Sequence, residues 1–141
     1  TGRPAADLHV RRHEAVLIFR TGRHTSSQGA ALTFSAADLK TIVDGYDPAL
    51  HQAPIVVGHP KTDDPAYGWV ASLSIKDDRL VATPSSLDSA FSDLVKDGKF
   101  RARSAAFYSP DAANNPTPGS YYLRHVGFLG AQAPAVKGLK P

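Results

Sequence analysis

The chain has 141 residues, 42% of them hydrophobic and 21% charged, with a formal net charge of +3. That length suits one domain with a real core, and the absence of cysteine excludes a disulfide framework, a thiol nucleophile and thiolate metal sites. No apolar run reaches membrane-spanning length, so a soluble globular protein is expected, and the scattered arginines and lysines form no stripe interleaved with stacking aromatics, which argues against dedicated nucleic-acid binding.

Residues 1 to 14 are polar and irregular and read as a tail, leaving 15 to 141 as the folded domain. No signal peptide is read at the start, and a chain beginning at Thr1 without methionine is compatible with a fragment. Ala15 to Phe19 is a short apolar strand, and Thr21 to Gly29 a turn rich in Gly, Ser and Thr. Ser35 caps a helix running to about Asp44, with Asp38 placed to complete a capping box and Leu39, Ile42 and Val43 as its buried stripe.

Ile55 to Val57 reads as a buried strand that ends next to His59. Tyr67 to Ile75 and Arg79 to Thr83 form a hairpin about Asp77 and Asp78, with Tyr67 and Trp69 expected in the core. A second helix spans Leu87 to Lys96, with Ser86 as cap, Gly98 as stop, and Phe91, Leu94 and Val95 on one face. Phe100 to Tyr108 and Tyr121 to Leu129 are the last strands, and the Pro- and Asn-rich segment from Ser109 to Gly119 between them is a loop. The pattern is α+β and mostly β: a small curved antiparallel sheet or β-barrel with two or three helices.

Three residues in or beside these strands carry chemistry: His59, Ser104 and His125. A serine becomes a nucleophile when an imidazole takes its proton and a third group orients that imidazole. A hairpin symmetric about Asn114 and Asn115 sets Ser104 opposite or nearly opposite His125. Directly opposed Cβ atoms lie roughly 5 Å apart and diagonal ones roughly 7–8 Å, the latter leaving room for an imidazole between them. Strict alternation puts His125 on one face with Leu123 and Gly127, and Arg124 on the other with Tyr122 and Val126. Ser104 shares its face with Ala102, Ala106 and Tyr108, where small side chains leave space for a substrate. Each residue also has a plain structural reading: small strand serine, hydrogen-bonded turn histidine, satisfied core histidine. His59 with Asp63 and Asp64, or His9 with His13, offers too few well-spaced ligands for a metal site.

Several strings add a resemblance. Phe34-Ser35-Ala36-Ala37-Asp38-Leu39, Tyr46-Asp47-Pro48, Ala53-Pro54-Ile55-Val56-Val57-Gly58-His59-Pro60, Pro65-Ala66-Tyr67-Gly68-Trp69-Val70, Arg103-Ser104-Ala105-Ala106-Phe107-Tyr108 and Tyr122-Leu123-Arg124-His125-Val126-Gly127-Phe128-Leu129-Gly130-Ala131 resemble the head maturation protease of Mu-type phages. In that family, the I protein, a protease is fused to a scaffold. The resemblance spans about residues 30 to 139. A looser similarity reaches tailed-phage prohead proteases and the herpesvirus assemblins, whose order His, Ser, His maps onto His59, Ser104 and His125.

The resemblance implies an assemblin-like fold over residues 15 to 141 and a serine endopeptidase that cuts scaffold and capsid-assembly proteins and its own precursor. Ser104 would be the nucleophile, His59 the general base and His125 the orienting third member, with an acid such as Asp63 or Asp64 as the alternative third. No cofactor or metal is implied. Expected partners are the scaffold and major capsid protein of the procapsid and further copies of the chain, inside the host cytoplasm and without a membrane. A non-catalytic assembly module on the same fold is the alternative.

Overall fold

A serine three residues ahead of an aspartate starts the first helix of the described residues. In the computed structural model, which describes residues 15–25, 31–58 and 65–130, Ser35 caps helix α1 (Ala36–Gly45). Its hydroxyl accepts from the Asp38 N–H at 3.1 Å, and the Asp38 carboxylate accepts from the Ser35 N–H at 2.8 Å. This is the reciprocal capping box expected from the sequence. Leu39 and Ile42 are buried, and Val43 packs against the core beside them.

Before α1 lie β1 (Val16–Arg20), β2 (Gly22–Thr25) and β3 (Ala31–Phe34). After it come β4 (Pro54–Val57), β5 (Gly68–Lys76), β6 (Arg79–Leu87), helix α2 (Ser89–Lys96), β7 (Ala102–Tyr108) and β8 (Tyr122–Leu129). Six strands form one sheet in the order β1-β6-β5-β4-β8-β7, and β2 pairs with β3 in a separate ribbon. The ribbon corrects the first part of the turn expected over Thr21 to Gly29, of which 26–29 lie outside the described residues: Gly22 to Thr25 pair with Phe34 to Ala31 in regular antiparallel register. Backbone pairing with an apolar partner strand overrides the turn-like composition there.

The sheet is antiparallel except at its middle, where β4 and β8 run parallel with Ile55 beside Val126, Val56 beside Gly127 and Val57 beside Phe128. Register shifts in β1, β5 and β8 mark bulges, which add twist and bend the sheet round on itself. The two edge strands meet where Arg103 Nε on β7 donates to the Leu17 carbonyl oxygen on β1 at 2.9 Å. Among the described residues the result is a nearly closed, mostly β sheet with two helices, as the sequence pattern predicted. Ile18, Leu39, Val70, Leu80 and Leu123 are fully buried inside it, with Phe91, Val126 and Phe128.

Other boundaries move for local reasons. Strand β6 does not stop at Thr83: Pro84 sits at a register shift opposite Val70, where a missing N–H does little harm, and pairing resumes as Ser86–Trp69 and Leu87–Gly68. A Cβ on Gly68 would come within 2.5 Å of the Ser86 carbonyl oxygen, so that pairing requires glycine. Because Leu87 still belongs to the strand, α2 begins later than expected, and its cap is Asp88, not Ser86; the Asp88 carboxylate accepts from the Phe91 N–H at 2.9 Å. Of the face expected to be buried, Phe91 is in the core and Val95 packs against it, whereas Leu94 is exposed. The Asp77–Asp78 hairpin is as expected, with φ of +50° and +62° at the two turn residues.

Candidate functional site

Strands β7 and β8 pair so that Ser104 lies opposite Gly127 and Ala106 opposite His125. Opposed residues share a face in an antiparallel pair, so Ser104 and His125 are same-face diagonal neighbours, a separation of roughly 7–8 Å. Both are buried, at 3% and 6% exposure. Alternation groups Ser104 with Ala106 and His125 with Gly127 as found, but misplaces Leu123 and Tyr122. Arg124 is an extra residue in β8: Ala106 pairs with His125 but Phe107 pairs with Leu123. This bulge transfers Leu123 to the core side with Phe107, Val126 and Phe128. His125 is left on the outer face with Ser104, Ala106 and Gly127, and Tyr122 joins that face opposite Tyr108.

Strand β4 enters the same neighbourhood from the other side of β8. Val56, 2% exposed, pairs with Gly127 and so continues the Ser104–Gly127 row onto a third strand. The ladder reaches Gly58, whose N–H donates to the Phe128 carbonyl oxygen at 2.9 Å. Gly58 then turns with φ of +69°, a conformation glycine adopts without strain. His59, the next residue, lies outside the described residues, as do Asp63, Asp64, His9, His13 and the segment 1–14. Among the described residues no three His, Asp or Glu side chains gather as a metal site would require, and no helix is long and apolar enough to cross a membrane.

Arg103, between the outer-face residues Ala102 and Ser104, points inward to its bond with Leu17. Burial lowers its pKa from the ordinary arginine value. Trp69, expected in the core, is 40% exposed. It pairs with Pro54 on one side and Ser86 on the other, while its neighbours Gly68 and Val70 take the inward positions. Tyr67 does pack against the core, stacked on Phe91 with ring centroids 5.3 Å apart.

Two tyrosines that no local sequence pattern marks support this face. The Tyr122 hydroxyl lies 2.7 Å from both the Asp47 and His51 carbonyl oxygens, which share its proton, and accepts from the Asp47 N–H at 3.1 Å. Burial raises its pKa. The Tyr46 hydroxyl donates to the Val70 carbonyl oxygen at 2.7 Å and accepts from the Ala53 N–H at 3.0 Å; burial pushes its pKa up to about 12. These bonds pin the connection from α1 to β4 against β5 and β8. The signal was the Tyr46-Asp47-Pro48 string, with no local pattern to name its partners.

No family model and no curated protein matches the chain in sequence. In three dimensions it is similar to the Kaposi's sarcoma herpesvirus protease solved with an allosteric inhibitor. The TM-score is 0.52 at 13% identity, over 89% of this chain and 74% of that one. Two room-temperature crystal structures of that protease with allosteric inhibitors give 0.51 at 12% and 14% identity, each over 89% of this chain and over 74% and 72% of theirs. The likeness is one of fold: the chain has the assemblin-like architecture.

Proposed function

We propose that this chain, built on the fold of a herpesvirus protease, is a serine endopeptidase of phage head maturation. The observation that carries the reading is the buried diagonal pair Ser104 and His125 on adjacent strands, beside the β4 end from which the chain continues into His59. Ser104 Oγ attacks the scissile carbonyl carbon while His59 takes its proton. That proton passes to the leaving amine as the tetrahedral intermediate collapses to an acyl-enzyme, which water then hydrolyses with His59 again acting as base. His125 accepts a hydrogen bond from the other ring nitrogen of His59 and fixes its tautomer. A neutral imidazole in that position stabilises the developing imidazolium less than a carboxylate would, so turnover is slow, in keeping with one round of cutting inside a particle.

The sequence resemblance to Mu-type head maturation proteases supplies the setting. The substrates are the scaffold, the capsid-assembly proteins and the enzyme's own precursor, cut by an oligomer inside the procapsid in the host cytoplasm. Mass spectrometry of the full-length precursor tests this. Ser104→Ala should leave the precursor intact and the melting temperature nearly unchanged, since a small strand residue loses only a hydroxyl. His125→Ala should slow processing by roughly one to three orders of magnitude, because His59 keeps its proton-accepting role with a poorly held tautomer. Processing at the wild-type rate by Ser104→Ala would overturn the reading and leave a non-catalytic assembly module.

A further inference from the structure

The bulge at Arg124 does more than re-sort the faces of β8. Its guanidinium carbon lies 5.5 Å from the centroid of the Tyr108 ring. His51 meets the same ring edge-on at 5.4 Å, and its Nε2 donates to the Arg124 carbonyl oxygen at 3.0 Å. Tyr122 holds His51 in place from beneath. Arg124 is exposed, Tyr108 and His51 are half-buried, and among the described residues no carboxylate pairs with Arg124. The arrangement is an open cup with a cationic rim, an aromatic floor and a histidine wall.

Its position relative to Ser104 gives it a use. Strand β7 carries no bulge of its own, so Ser104, Ala106 and Tyr108 follow one another along the outer face. Among the described residues, Ala106 and the buried His125 lie on this face between the serine and the cup. Four residues of strand cover roughly 13 Å, the span of four residues of an extended peptide laid along it. Resting on the protease reading, we infer that Arg124, Tyr108 and His51 form a substrate subsite that takes an acidic side chain four residues from the scissile bond. The cation supplies the charge selection; the tyrosine face holds the guanidinium, and His51 fixes the Tyr108 ring and the Arg124 backbone, which lowers the entropy lost when a carboxylate pairs with the arginine.

A positional-scanning library of internally quenched peptides, cleaved by the purified protein, tests this. Asp or Glu at one position, four residues from the cut, should raise kcat/KM roughly fivefold over a neutral residue, the scale of a partly exposed ion pair. Arg124→Glu should reverse that preference toward Lys and Arg at the same position, and Arg124→Lys should keep its direction. A wild-type enzyme indifferent to charge at every position, or an Arg124→Glu variant that still prefers acids, overturns the subsite while leaving the protease reading intact. A library that wild type leaves uncut, or that Ser104→Ala cuts equally well, overturns the protease reading and the subsite with it.

Discussion

Tyr46 links two segments through a single hydroxyl, and its titration should be visible in the stability of the whole chain. An unfolded tyrosine ionises near 10.0, whereas burial holds this one protonated to about 12. The contribution is therefore fully present below pH 10 and is lost as pH rises through about 12. Tyr46→Phe leaves the Ala53 N–H without its hydroxyl acceptor and the Val70 carbonyl without its hydroxyl donor, at a cost of about 1–3 kcal/mol. Melting temperatures followed from pH 10 to 12 should fall more steeply for wild type than for the variant; parallel curves would remove Tyr46 as the titrating group. Single residues were legible in the sequence where their partners were close along the chain. Ser35 and Asp38 are three positions apart, and the capping box could be read directly. Tyr46 and Tyr122 act on segments brought together only by folding, and nothing near them in sequence names those contacts.

Elements were legible to the extent that one local rule governed them. The hairpin at Asp77 and Asp78 and the stop at Gly98 follow from turn chemistry. Alternation failed in β8 because one inserted residue, Arg124, exchanges the faces on either side of it, and a bulge leaves no mark in a row of apolar and aromatic residues. Ser104 and His125 still meet on one face, because both lie on the same side of that insertion. The loop between β7 and β8 was recognisable as a loop, but not as a rigid one. Asn115, 6% exposed, donates to the Ser109 and Ser120 carbonyl oxygens at 2.8 and 2.7 Å and accepts from the Thr117 N–H at 2.7 Å. Its side chain does the work of a short internal strand, bracing both ends of the loop. Asn115→Ala should cost about 2–3 kcal/mol, since several buried backbone groups lose their partner at once, and should speed amide exchange in Tyr108 and Tyr122. A loss below half that size, read from urea melts, would show that the loop holds its shape without the side chain.

At the scale of the whole molecule, the closure of the sheet was foreseeable and its strand order was not. Hairpins can be read from sequence, but the parallel pairing of β4 with β8 joins an early strand to the last described one, with no intervening turn to announce it. That seam has a consequence in time. A ribosome delivers Ser104 well before it delivers His125, and long-range contacts form only after the loop-closure entropy between them has been overcome. Until Tyr122 to Leu129 have emerged, neither Ser104 nor the segment ending at Gly58 has the strand that joins them. On the protease reading proposed above, synthesis itself acts as a clock, because Ser104 has no β8 partner until that strand is made. Purified chains truncated after Ser120 should fail to react with a fluorophosphonate probe that labels the completed domain, and labelling of the shorter chain would show that the clock does not exist.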